Sequence, residues 1–167
     1  KFAKRFYYHG FEIGKKDYKV LDYGLNMRMD NLQAAILYNK IQFFGFNNFK
    51  RLIVAFEYSN FFKKNNLDYI LNYPKINSDH TWHQYSLQVK DPIKLTKFLN
   101  KNYNINLGKM YKYLTTDQNN NFSKSINKNS LINTIKMHRR MVNLPIHNGI
   151  TFEEMGSVIN ALKKYRA

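Results

Sequence analysis

Two polar side chains, Asn26 and Arg28, stand two positions apart in the stretch Tyr23-Gly24-Leu25-Asn26-Met27-Arg28-Met29-Asp30. An amide N–H donates to a phosphate without adding charge, and a guanidinium grips a phosphate or carboxylate through two parallel bonds. Loops held beside a helix start are common carriers of binding chemistry. The same residues also have structural uses: Asn26 can close a turn, and Arg28 can lock the loop by an ion pair or lie in solvent. His80 and His83 sit in the run His80-Thr81-Trp82-His83-Gln84-Tyr85, on opposite faces of a predicted strand, so they cannot share one metal ion. Each can be a hydrogen-bonded structural histidine; His83 is also a binding candidate. His9 and His147 stand beside Gly10 and Pro145 and read as turn residues. The chain has no cysteine, which excludes disulfides, thiolate catalysis and Cys-based zinc sites. No catalytic residue and no metal site is assigned.

The elements that must position these groups are legible in the periodicity. Asp30 is a helix N-cap, with Gln33 where a capping box places Glu or Gln. From there apolar residues return at three- and four-residue steps as far as Phe62, which predicts a long helix, kinked or broken near Gly45, or else two shorter helices. Residues 2–9 read as the end of a helix closed by Gly10, and residues 11–22 as a loop. The segment 80–89 is the clearest strand, with Trp82, Gln84, Ser86 and Gln88 on one face and His83, Tyr85, Leu87 and Val89 on the other. Asp91-Pro92 opens a helix carrying Ile93, Leu95, Phe98 and Leu99 inward. Residues 104–113 form a predicted second strand, 115–128 a polar loop, 130–138 a helix and 141–146 a third strand. Thr151 and Glu154 form a capping box for a last helix that buries Met155, Val158, Ile159 and Leu162. The order β-α-β-α-β-α describes a small α/β sandwich with helices on a sheet.

The chain of 167 residues is 44% hydrophobic, enough for a packed domain rather than wholesale disorder. It has no apolar run of about 18 residues, so no transmembrane helix is expected. Lys1-Phe2-Ala3-Lys4-Arg5 is not followed by the apolar stretch of a signal peptide, and the expected compartment is the cytoplasm. Lys and Arg number 27 against 11 Asp and Glu. The cations are scattered in pairs such as Lys15-Lys16 and Lys163-Lys164 rather than gathered in one arm, which favours anionic small molecules over nucleic acid as partners.

Four segments resemble, in order, motifs of the DegT/StrS group of pyridoxal-phosphate-dependent sugar aminotransferases. They are Arg5 to Gly10; Gly24-Leu25-Asn26-Met27-Arg28-Met29 with Gln33-Ala34-Ala35; His80-Thr81-Trp82-His83-Gln84-Tyr85; and Asn143-Leu144-Pro145-Ile146-His147 followed by Gly149-Ile150-Thr151. The resemblance spans essentially the whole chain. It implies the C-terminal part of a fold type I pyridoxal-phosphate enzyme. Residues 1–29 would be the tail of the large cofactor-binding domain, 30–66 the connecting helix region and 67–167 the small C-terminal α/β domain. It implies pyridoxal 5'-phosphate as cofactor and transfer of an amino group from an amino-acid donor to a nucleotide-linked keto sugar. It implies a homodimer in which Asn26 reaches across to the cofactor phosphate, with Arg28, His83 and Tyr111 on the substrate.

The departures carry expectations of their own. The family's Schiff-base lysine lies upstream of the His9-Gly10 motif, so this chain is expected to be a fragment and inactive alone. Around Tyr111 the family has a histidine before and a proline after; here Met110 and Lys112 stand there, and Thr115 replaces a second histidine. That leaves open a non-catalytic, partner-binding remnant of the fold and a pyridoxal-phosphate-dependent sugar dehydratase.

Overall fold

The structure is a computed structural model describing Phe6, Gly24, Leu25 and residues 29–109, 113–114 and 128–166. The chain divides into two compact units, Lys1–Phe44 and Gly45–Ala167.

In the first unit, Asp30 adopts extended backbone and its Oδ1 accepts from the Gln33 N–H at 2.8 Å. This cap starts α1 (Asn31–Ile41). No residue of α1 is buried, and Leu32, Ile36 and Ile41 are exposed. Periodicity tells which residues share a face and nothing about what covers that face. The helical run then breaks: Gln42 and Phe43 form a turn, and the Phe43 N–H donates to the Lys40 carbonyl at 3.1 Å. Of the two readings of residues 30–66, two helices are observed, with the break just ahead of Gly45.

The second helix, α2 (Phe44–Lys64), buries Val54, Ala55, Tyr58, Phe61 and Phe62 in its C-terminal half. Next come β1 (Ile70–Asn72), β2 (Tyr85–Val89), α3 (Pro92–Tyr103), a single 3-10 turn at Lys128–Leu131, α4 (Ile132–Arg140), β3 (Met141–Leu144) and α5 (Phe152–Lys164). The strands form one antiparallel sheet in the order β1-β2-β3. Tyr85 pairs with Leu144, Ser86 with Asn143 and Leu87 with Val142. Gly108 bridges Asn143 from the opposite edge of β3, with paired N–H···O bonds of 2.9 and 2.8 Å.

The core lies on one face of this sheet. Tyr85, Leu87 and Val89 of β2, and Val142 and Leu144 of β3, meet Leu95 and Leu99 of α3 and Val158, Ala161 and Leu162 of α5. Each fully buried Leu contributes about 1.5–3 kcal/mol relative to exposure. Three buried tyrosines tie distant segments together through their hydroxyls. Tyr58 donates to the Pro145 carbonyl at 2.9 Å, Tyr69 donates to the Leu162 carbonyl at 2.6 Å, and the Tyr85 hydroxyl lies 2.7 Å from Ser59 Oγ.

The helix boundaries follow their caps. Asp91 Oδ1 accepts from Ile93 and Lys94 at 3.1 and 2.9 Å, Pro92 occupies the first turn, and Asn104 ends α3 in the left-handed conformation at φ 55°. Ile93, predicted inward, is exposed, while Leu95 and Leu99 are buried as expected. The Thr151–Glu154 capping box forms with both bonds, at 2.8 and 3.1 Å.

The strands depart from the sequence reading. β3 stops at Leu144 because Pro145 has no N–H for the ladder. Of the predicted strand 104–113, the bridge at Gly108 is the sheet contact seen among the described residues. The strand predicted over 80–89 begins only at Tyr85, because Trp82 has φ 49°. A left-handed residue interrupts the two-residue alternation. Trp82 therefore enters the same core as Tyr85, which its parity forbade, and His83, expected on the Tyr85 face, is turned out to solvent.

Candidate functional site

The turn that aims His83 is built from its neighbours. His80 Nδ1 accepts the Trp82 N–H at 2.9 Å, and the two rings pack with centroids 4.5 Å apart. The Trp82 Nε1–H donates to the Asn77 carbonyl at 3.2 Å, and the buried indole stacks on Tyr85 at 5.9 Å. His80 is thus a structural histidine, as is His147, whose Nδ1 accepts the Gly149 N–H at 3.2 Å.

His83 stands exposed at a cleft of about 370 Å³ where β2 begins, β3 ends and the Gly108 segment crosses. Gln84, Gly108, Lys109, Asn143, Leu144 and Ile146 complete its lining. Asn143 is buried, and its Oδ1 accepts the Ser86 hydroxyl at 2.7 Å. That bond fixes the amide, and its Nδ2 falls on the Gly108 side, 4.0 Å from where a Cβ on Gly108 would stand. The cleft therefore gathers an ammonium, an imidazole and the carboxamide residues Gln84 and Asn143, and among the described residues no carboxylate lines it. Such a mixed set of donors and acceptors suits a small polar ligand.

A larger groove of about 510 Å³ lies between the start of α2 and the start of α5. Phe46, Phe49, Ile53, Phe152 and Met155 form its walls, and the imidazole beside it, His147, is already engaged by Gly149. Its size alone would make it the default binding site. Its other polar residues are Asn148, which donates to Asn47, Thr151, which accepts from the Glu154 N–H, and Lys50, whose ammonium lies 4.6 Å from the centroid of the Phe46 ring.

Of the residues named from sequence, Asn26, Arg28 and Tyr111 lie outside the described residues. His83 is described, and the fold joins it to Lys109 and Asn143. Lys109 carried no signal of its own, being one of 27 basic residues. Its place directly before Met110-Tyr111-Lys112, where the resemblance departs, was the one available pointer. Among the described residues no cluster of His, Asp and Glu is placed to hold a metal ion, and no helix is long and apolar enough to cross a membrane.

Solved structures of pyridoxal-phosphate-type aminotransferases superpose on this chain with its helix-covered antiparallel sheet. NtdA from Bacillus subtilis, with bound cofactor PMP, matches over 95% of this chain and 37% of its own, with a TM-score of 0.81 and 32% identity. Helicobacter pylori PseC, an aminotransferase involved in the biosynthesis of pseudoaminic acid, matches over 96% of this chain and 44% of its own, with a TM-score of 0.76; at 22% identity it bears on the fold alone. In sequence the chain is 36% identical over 114 residues to the 3-oxo-glucose-6-phosphate:glutamate aminotransferase of Bacillus subtilis (strain 168), covering 66% of this chain and 26% of that protein. The model of the DegT/DnrJ/EryC1/StrS aminotransferase family matches residues 1–163, and the chain belongs to that family. Its members depend on pyridoxal phosphate, and related structures have been solved with PLP and with PMP. The chain spans about a quarter to under half of the length of these relatives.

Proposed function

We propose that this chain is part of a pyridoxal-phosphate-dependent aminotransferase that moves an amino group from an amino-acid donor to a keto sugar. The family match over residues 1–163 carries the reading. When bound, pyridoxal phosphate would supply the electron sink that labilises bonds at the amino-bearing carbon. The motif resemblance around Asn26 supports that residue as a cofactor contact, its amide donating to the phosphate across a homodimer interface. Arg28 and Tyr111 would approach the substrate together with His83, which the Trp82 turn holds in the open.

Two sugar classes follow from two observations. The motif resemblance points to a nucleotide-linked keto sugar. The 36% identical relative is named for a hexose phosphate and a glutamate donor, which favours a phosphosugar with glutamate. The test is the purified whole enzyme of which this chain is proposed to be part, charged with pyridoxal phosphate and followed by the visible absorbance of the bound cofactor and by release of the 2-oxo acid when a keto sugar is added. Asn26→Ala is expected to raise the cofactor Kd by about tenfold, the loss of one hydrogen bond to a charged group, with the dimer intact. Absence of both cofactor absorbance and transamination would refute the reading.

A further inference from the structure

We propose that Asn148 is a self-modification site: the His147 imidazole acts as a base on the Gly149 backbone amide, which attacks the Asn148 side chain and converts it, with loss of ammonia, to aspartate and isoaspartate.

Three consecutive residues supply what the reaction needs. The attacked group is the Asn148 carboxamide. The attacking atom is the backbone nitrogen of Gly149, which has no Cβ to hinder its approach. No other asparagine in the sequence precedes a glycine. The base is His147, whose Nδ1 already accepts the Gly149 N–H at 3.2 Å. A neutral ring that accepts at Nδ1 carries its proton at Nε2 and is able to take another. An imidazole within hydrogen-bond reach of the proton it removes meets the geometric requirement for general-base catalysis. His147, Asn148 and Gly149 are exposed in the connection from β3 to α5, so water reaches all three. The same bond recurs at His80, whose Nδ1 accepts the Trp82 N–H at 2.9 Å, but there Thr81 stands between and offers no amide to attack.

The steps balance with water as co-reactant. As Nδ1 takes the Gly149 amide proton, that nitrogen bonds to Asn148 Cγ and closes a five-membered imide. The Cγ–Nδ2 bond breaks, and the imidazolium returns the proton to the departing nitrogen, which leaves as ammonia. Water then opens the imide. Attack at Cγ gives aspartate, and attack at the backbone carbonyl carbon gives isoaspartate. The turn registers the product. Asn148 Nδ2 donates to Asn47 Oδ1 at 2.9 Å and, with the Tyr58 bond to the Pro145 carbonyl, ties segment 145–148 to α2. The reaction removes that donor. Isoaspartate also lengthens the main chain by a methylene between His147 and Ile150, whose N–H donates to the His147 carbonyl at 3.4 Å just before the Thr151 cap of α5.

The experiment incubates the folded full-length protein at neutral pH and follows the peptide carrying residue 148 by mass spectrometry, with isoaspartate read by enzymatic methylation. Wild type is expected to gain the amide-to-acid mass difference at Asn148, to contain isoaspartate, and to show a falling thermal midpoint as the product accumulates. Gly149→Ala is expected to lose most of the reaction; its Cβ would meet His147 Nδ1 at 3.5 Å, an ordinary contact, so the turn accepts it. His147→Ser keeps an acceptor for the residue 149 N–H but no base. It is expected to react about tenfold more slowly, a loss short of the range for a positioned base in a built active site. His147→Gln repeats the test should the serine variant melt early. In denaturant wild type and His147→Ser are expected to react at one rate, because the fold no longer aims the ring. Three results overturn the proposal: an unmodified Asn148 in folded wild type, equal rates for folded wild type and the His147 variants, or a difference between them that persists in denaturant, which would assign the effect to local sequence. An unchanged midpoint in the modified protein would overturn the structural consequence.

Discussion

Trp82 is the residue on which the site's geometry turns. A bulky side chain at φ 49° costs about 1–3 kcal/mol of backbone strain. The indole's burial at 2% exposure, its bond to Asn77 and the His80 bond to its N–H hold the conformation. The kink sends the indole into the core and leaves His83 exposed at the cleft. Trp82→Ala removes the anchor, and by analogy with other buried aromatics it should destabilise the protein by about 3–5 kcal/mol. Denaturant unfolding checks this. A loss under 1 kcal/mol would mean that the turn is held by something other than the indole. His83 and Tyr111 were visible in the sequence as chemistry-bearing types. Lys109 and Asn143 were not, because their meaning comes from one bridge between segments 35 residues apart, Gly108 to Asn143.

At the scale of elements, α5 follows directly from its sequence. Thr151 Oγ1 accepts the Glu154 N–H, and Glu154 returns a carboxylate oxygen to the Thr151 N–H. Thr151→Ala should cost about 1 kcal/mol, measurable as a lowered denaturation midpoint with unchanged slope. The same box acts on acid stability. The Thr151 backbone N–H first, then its hydroxyl, and also the charge of His147, hold the Glu154 carboxyl below its ordinary value. A carboxylate lowered on folding adds stability that is present above its unfolded pKa and lost as pH falls through the folded one. Stability should therefore decline below about pH 4.5 with a component that Glu154→Gln abolishes, read from unfolding curves between neutral and acid pH. The caps at Asp30, Asp91 and Thr151 were legible because a cap is a contact between residues two or three apart. The extent of β2 was not, because the left-handed turn at Trp82 depends on Asn77, His80 and Tyr85 enclosing it.

At the scale of the second unit, the buried tyrosines set the alkaline limit. Burial, more than any neighbouring charge, raises the hydroxyls of Tyr58, Tyr69 and Tyr85, the last to about 12. Unfolded tyrosines ionise near 10, so the folded state keeps protons that the unfolded state has lost, and stability falls as pH rises from about 10 through the folded values. Tyr85→Phe should cost about 1 kcal/mol at neutral pH, the net worth of its bond to Ser59. It should also reduce the steepness of the loss above pH 10, followed by circular dichroism. An unchanged alkaline profile would place the limit on Tyr58 and Tyr69.

The sequence by itself determined the capped helix starts after Asp30, Asp91 and Thr151 and the face of α5 that enters the core, since each rests on short-range hydrogen bonds or on a repeat within one element. Its motifs also pointed to the aminotransferase family that the comparison then showed. Only the tertiary structure decided where the helical run after Asp30 breaks, which residues of α1 and α2 remain exposed, and that Trp82 and Tyr85 share one core. It also decided that His83 meets Lys109 and Asn143. These outcomes depend on which surfaces are covered and on bonds between segments far apart in the chain, and local periodicity carries neither.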